Sequence, residues 1–451
     1  MIKVFIPGNF IPERSYIVET LLADFLGLDI SIQHHSLPDY RLTLENGREI
    51  VVRDHFFSRL DGIQEPDYLE AGNIPGAISW IDNPLALQTP LPVIFGDAEW
   101  TRENGRLICG IDMFASAFFM LSRWEEVALR EKKEVFDSHG RFPATSSLAF
   151  QQGFIDRPVV NEYVELLWNI LHSLGVNQER KPRNFSFVLT HDVDALVLWR
   201  GWGHVTRTAV ADIVKRFSLP SAVRRLHQFW DITRGAQKDP YDSYQLLMDI
   251  SESLNLTSHF YFKCGGNRPQ DRVHPFDIRS PKARQVIRSI RSRDHIVGFH
   301  PSYQASTDAA VWNQELTALS EVCECAVTEG RQHYLKFQVP FTWRLWEENG
   351  MNIDSTLGFA DREGFRCGTG DEYRVFDVAE RRTLRLKERP LVFMEHRNHF
   401  CGGFQGAVEE HEMASIVAAA RRMNTPVTLL FHNDAMSEPL FQQMYRRILS
   451  L

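Results

Sequence analysis

Apolar and polar positions along the chain change rhythm near residue 180. Before that point the elements are short and uneven. Residues Ile2 to Ile6 form an apolar run that stops at Pro7-Gly8-Asn9, a strand followed by a turn. From Glu13 to Leu26, Ile17, Val18, Leu21, Leu22 and Phe25 share one helical face, and Gly27 suits the position just past the helix end. Residues 29–110 carry apolar stretches broken by Pro, Asn-Gly and Asp-Gly, which predict short strands and turns. Asp112 is placed to cap a helix through "MFASAFFMLSRWEEVALR", and Pro158 to Leu171 predicts a second helix, with Val160, Val164, Leu167 and Leu171 in register. The polar stretch "GVNQERKPRN" then marks a boundary, giving two expected domains, 1–178 and 184–451.

After the boundary, strand and helix alternate. "FSFVLT" predicts a strand ending at Thr190, followed by a long helical region from Trp199 to Trp230. Pro240-Tyr241-Asp242-Ser243 opens another helix, Thr257 to Lys263 is a strand, Pro281 to Arg293 a helix and Ile296 to Phe299 a strand. Helix from Glu409 to Met423 and strand from Val427 to Phe431 close the pattern. Alternation of this kind predicts an α/β domain with a mainly parallel sheet, open or barrelled.

Composition narrows the function classes. The 451 residues are 43% apolar and 24% charged, and the net charge of −8 gives no bulk attraction to nucleic acid. The opening "MIKVFIPGNF" has no basic segment leading into a long apolar one, and no apolar run reaches the length of a membrane span, so the cytoplasm is the expected compartment. Six cysteines are then expected as thiols, and Cys323-Glu324-Cys325 has no second pair that would complete a zinc knuckle.

Sites in parallel α/β folds gather at the carboxyl ends of strands. Three polar clusters fall there: Asp192 and Asp194 after the first strand, His300 in "HIVGFHPSYQA", and His432 in "LLFHND". Singly, each has a duller reading as a helix cap, turn residue or surface histidine. Together they suit a hydrolase, with one Asp and a His holding a divalent metal, a second Asp as general base and a second His as general acid. Arg331 in "RQHYLKF" supplies a cation able to orient the base.

This order resembles the polysaccharide deacetylase family, the NodB-homology fold of carbohydrate esterase family 4, over residues 184–451. "THDVD" is similar to the family's first motif, "DHIVGFHPSYQA" to the second, "RQHYLKF" stands in place of the third, and "LLFHND" is similar to the last. The resemblance implies a distorted (β/α) barrel behind a smaller N-terminal α/β domain. It implies Asp192 as base, Asp194 and His300 as ligands of a divalent metal, zinc by preference, Arg331 as holder of the base, and His432 as general acid. "MNIDSTLGFADREGFRCGT" is similar to an Asp-Ser-Ser stretch of relatives and brings Asp354 near the site; Asp354 or Glu395 would orient His432. "DMFASAFFMLSRWEE" and "HGRFPATSSLAF" resemble an N-terminal domain of unknown function found with one subgroup in bacterial surface-glycan gene sets. One departure stands out. The family has a second His four residues after the first, whereas this chain has Gln304, a poor zinc ligand. That leaves Gln304, His333 or no protein residue as the third ligand.

The implied activity is deacetylation of an N-acetylated sugar in bacterial glycan metabolism, with a carbohydrate as partner. The rival reading is a retired deacetylase fold that binds glycans or serves as a scaffold. Two further stretches stand apart. "EHRNHFCGG" offers His396, His399 and Cys401 as a second metal site, or simply a loop at the site's mouth. Residues 199–239 carry eight Arg and Lys against three Asp, with aromatics interleaved, which reads either as a helical pair packed on the fold or as a peripheral contact with a membrane surface.

Overall fold

The computed structural model describes residues 1–451 except 61, 63–66, 274 and 396–405. The candidate second metal site at His396, His399 and Cys401 lies outside the described residues. The chain forms two compact units, each of two segments: 1–188 with 328–429, and 189–327 with 430–451.

The first unit opens with β1 (Ile2–Pro7), which pairs in parallel with β2 (Ile30–His35) and antiparallel with β3 (Tyr40–Thr43). With β4 (Glu49–Val52), β7 (Gly96–Glu103) and β8 (Arg106–Ile111) they make a six-stranded sheet in the order β2-β1-β3-β4-β8-β7. A separate ribbon joins β5 (Ser79–Ile81) to β6 (Leu91–Val93). The predicted first helix begins at Ile11 and widens into π-type turns from Glu19 to Phe25. Gly27 follows with φ +70, where an added Cβ would lie 2.7 Å from Lys181 Cβ. Only glycine fits both that conformation and that close approach.

Asp112 does cap its helix, accepting from Ala115 N at 3.0 Å. The single helix expected after it is instead two, Met113–Leu121 and Trp124–Ala128. Arg123 breaks it with φ +52, and its buried guanidinium reaches Glu125 and Glu126, each at 2.8 Å. Local propensity would continue the helix; a buried ion network overrides it. Helix Val159–Ser173 forms as the pattern predicts.

The second unit is built on β9 (Phe187–Val193, from Leu189 onward), β10 (Ser258–Lys263) and β11 (Ile296–His300). All three are parallel, with β10 between the others. Leu189, Val193, Phe260, Phe262 and Phe299 are buried, as expected of strands covered on both faces. Helices Tyr244–Ser253, Pro281–Arg291 and Ala309–Cys323 connect or flank them. The long helical region expected from Trp199 is a hairpin, Trp202–Arg216 and Leu219–Thr233.

On return to the first unit, β12 (Glu329–Gly330), β13 (Ile353–Asp354) and β15 (Arg382–Glu388) pair in parallel. There β14 (Tyr373–Asp377) runs antiparallel to β15, so strict helix-strand alternation fails in this stretch. The last strands are β16 (Leu391–Met394) and β17 (Val427–Leu430), with helix Gly406–Met423 between them. The mixed α/β architecture expected from the pattern is present. Among the described residues no helix is long and apolar enough to cross a membrane. Cys109, Cys264, Cys323, Cys325 and Cys367 are free thiols.

Candidate functional site

Strand geometry explains the Asp-x-Asp. Side chains two residues apart point to one face, so Asp192 and Asp194 share a face that His191 and Val193 do not. His191 turns to the other side, where its Nδ1 lies 3.0 Å from Phe431 O and its Nε2 3.2 Å from Ser258 Oγ. It is part of the packing.

Register does the rest. Val193 pairs with Phe262, and Lys263 with His300. One step past Val193, Asp194 therefore falls level with Lys263 and His300 on three neighbouring strand ends. The distances agree. His300 Nε2 is 3.4 Å from Asp194 Oδ1 and 3.6 Å from Asp192 Oδ2, and Lys263 Nζ is 3.9 Å from Asp194 Oδ1. His432 follows β17, and its Nε2 lies 3.9 Å from Asp194 Oδ2. Asp192, Lys263 and His300 are almost wholly buried, whereas Asp194 keeps 20% of its side chain exposed, which gives the cluster an open side.

Two sets of hydrogen bonds hold this row. Phe431 N donates to Thr190 O at 3.1 Å and Asn433 N to Asp192 O at 3.3 Å, fixing the backbone on either side of His432. Asn433 Nδ2 also donates to Ala195 O at 2.8 Å and Tyr241 O at 2.9 Å, while Ser243 Oγ donates to Asn433 O at 2.7 Å. After His300, Ser302 N donates to Glu315 at 2.8 Å and Tyr303 N to Asp271 at 2.7 Å. Both carboxylates are buried. The Gln304 side-chain oxygen accepts from Asn267 N at 3.3 Å, so this amide braces the neighbouring loop. Sequence reasoning missed Lys263, Asp271, Glu315 and Asn433. Only Lys263 carried a signal of the kind used for the others, a charge ending an apolar strand.

The remaining expected residues belong to the first unit. Arg331 is fully buried and donates to Ser355 O at 2.8 Å and Ser355 Oγ at 3.0 Å. His333 is buried in a short 3-10 turn with its ring against Tyr334, centroids 4.8 Å apart. Glu395 is buried just after β16. Asp354 has no exposed surface and lies in register with Glu388, a residue the sequence did not single out. Glu388 accepts from Trp343 Nε1 at 3.1 Å and Leu357 N at 2.9 Å, and Asp354 accepts from Thr356 Oγ1. Burial pushes the Asp354 carboxyl up to about 7, against the opposing pull of its hydrogen bonds and of Arg331. Burial and then the Asp354 charge raise Glu388 well above the usual carboxylate range. Two buried carboxyls this close hold a proton between them near neutrality.

Residues 2–175 match the model of a family described as "Family of unknown function (DUF7033)". The match agrees with the N-terminal resemblance and brings no activity with it. Among solved structures, a "putative polysaccharide deacetylase" from Mycobacterium smegmatis is similar at 16% identity and a TM-score of 0.37, over 60% of this chain and 84% of that one. A likeness that slight transfers no residue role. No curated protein matches the chain.

Proposed function

We propose that the protein is a metal-dependent hydrolase of distorted (β/α)-barrel fold that removes an acetyl group from an N-acetylated sugar in bacterial glycan metabolism. The 3.4 Å between Asp194 Oδ1 and His300 Nε2 carries this reading. Two ligands of a tetrahedral zinc, each at about 2.0–2.1 Å, sit roughly 3.3–3.4 Å apart. The pair thus fits the edge of such a site, and an Asp/His donor set suits zinc. The proposed ligands are Asp194 and His300, on neighbouring strand ends of the second unit. Gln304 is left out because its side-chain oxygen is engaged with Asn267.

A bound zinc would supply Lewis acidity toward a carbonyl oxygen and an attacking water. The chain's own groups move the protons. Asp192, on the same strand face as Asp194, takes a proton from the water as it adds to the acetamide carbon. His432 Nε2 gives a proton to the sugar nitrogen as the carbon-nitrogen bond breaks, so acetate and a free amine leave. Asn433 positions His432 through its bonds to Ala195 and Tyr241.

Lys263 favours a second reading. Its ammonium already places a positive charge 3.9 Å from Asp194, as a metal-free glycan-binding module would need. Elemental analysis separates the two. Protein purified without chelating resin is expected to hold about one divalent ion, lost in Asp194→Ala and in His300→Ala. Added zinc should raise the melting temperature of wild type but not of either variant. Release of amine from N-acetylated oligosaccharides should fall by about 10²–10⁴-fold in Asp192→Asn. Wild type without metal after incubation with excess zinc, cobalt or nickel would end the hydrolase reading.

A further inference from the structure

The helical hairpin Trp202–Arg216 and Leu219–Thr233 exposes apolar surface in an ordered way. At about 100° per residue, Trp202, Val210, Ile213, Val214 and Phe217 fall within an arc of roughly 120° on the first helix. Leu219, Val223 and Trp230 fall within about 40° on the second. The Trp202 and Trp230 rings are 6.3 Å apart at the base of the hairpin, so the two stripes begin side by side. Exposure is high all along: Phe217 89%, Val214 64%, Leu219 62%, Trp202 55% and Trp230 53%. The hairpin also buries a small core of its own, Trp199, Val205 and Phe229, and the Trp202 ring borders it, 4.7 Å from that of Phe229.

The tip is held firmly. Buried Asp212 accepts from Arg216 on its own helix and from Arg225 on the other. Ser218 N donates to Asp212 O at 3.0 Å, and Ser218 Oγ caps the second helix at Ser221 N. Phe217 takes φ +51 at the helix end, a place where glycine or asparagine costs less. A strained position is thus used to hold a large ring in solvent.

We propose that this hairpin lies on an anionic bilayer surface, with Phe217 and Leu219 leading and the two tryptophans at headgroup level. Charge selects this occupant. Residues 199–239 carry eight Arg and Lys against three Asp in a chain of net charge −8, and one of those three, Asp212, is spent on two arginines inside the hairpin. Exposed Arg207, Lys215 and Arg224 lie on the same two helices outside the apolar stripes, Arg207 beside the edge of the first. A second copy would bring the same cations against these, which disfavours self-association. Each 15-residue helix is about 22 Å long and neither is apolar enough to span, so the hairpin rests in the interface with its indoles at the boundary.

The test is co-sedimentation of the full chain with vesicles of phosphatidylglycerol and phosphatidylcholine in equal parts, against phosphatidylcholine alone. Wild type should partition about tenfold or more in favour of the anionic vesicles, less so as salt rises. The variant Phe217→Ser/Leu219→Ser should lose at least about tenfold of that binding. A second variant, Lys215→Glu/Arg224→Glu, should lose the anionic preference with an unchanged circular dichroism spectrum, which guards against a folding defect in the first. Wild type that stays in the supernatant overturns the proposal. So does binding that neither variant reduces, and so does a dimer in light scattering that Phe217→Ser/Leu219→Ser dissolves. None of these outcomes depends on whether the strand-end cluster holds metal or hydrolyses an amide.

Discussion

Two clusters of buried charge in this protein look alike by composition and differ in geometry. In the first unit, Arg123 and Arg366 enclose Glu126 with contacts of 2.8, 2.9 and 2.7 Å, and Glu125 adds a bond to Arg123 at 2.8 Å and one from Leu148 N at 2.9 Å. Burial pushes Glu126 up, the guanidiniums of Arg366 and Arg123 more than reverse it, and the carboxyl ends below its ordinary value. In the second unit, Asp192, Asp194, Lys263, His300 and His432 stand 3.4–3.9 Å from their charged neighbours in the row. Contacts of the first kind are closed, with lone pairs matched to donors. Of the second kind, the 3.4 Å between Asp194 and His300 matches the spacing of two ligands around a tetrahedral cation, and the longer separations do not. Direct contact between matched charges is the mark of a network that holds the fold; the spacing of Asp194 and His300 is what the proposed metal rests on.

The largest effect should come from breaking the closed network. Glu126→Ala leaves two buried guanidiniums facing an empty space and is expected to cost about 3–5 kcal/mol of stability, read by urea unfolding. Asp192→Asn, equally buried, should stay within about 1 kcal/mol of wild type in metal-free protein, because it removes one of two carboxylates on the same strand face. Equal losses in the two variants would erase the distinction drawn between the clusters.

A middle-sized effect should come from the Asp354–Glu388 pair, which is buried like the network but matched acid to acid. In an unfolded chain both carboxyls ionise near pH 4. In the fold Asp354 keeps its proton up to about 7, and Glu388 is raised as well. The folded state therefore binds more protons than the unfolded state in this window. Its contribution is fully present below the unfolded values and is lost as pH rises through the folded ones. The melting temperature of wild type should fall from about pH 5 to pH 8, and Glu388→Gln should flatten that fall. Parallel curves for the two proteins would mean that the pair shares no proton.

Gln304→Ala should do least. Its amide braces the loop at Asn267, so metal content should stay at the wild-type level, with a stability loss of about 1 kcal/mol or less from one missing hydrogen bond. Loss of the metal in this variant would return Gln304 to the ligand set.

The sequence alone determined the features set by short periods and local chemistry. A two-residue period places Asp192 and Asp194 on one face wherever β9 lies, Asp112 caps the helix that follows it, and Gly27 adopts the left-handed conformation that the helix end requires. Charge counts along the chain also marked residues 199–239 as basic before their exposure was seen. Tertiary structure alone decided which distant residues meet. The register of β9, β10 and β11 brings Lys263 level with Asp194 and His300, and no spacing within one strand encodes the alignment of three. Breaks at Arg123 and Phe217 were equally hidden, since local propensity gives no reason for a non-glycine residue to turn left-handed. Asp212 braces one break and Glu125 and Glu126 the other, and the pairing of β15 with both β13 and β14 sets Glu388 against Asp354. Local pattern fixes which way a side chain points; long-range packing fixes what it points at.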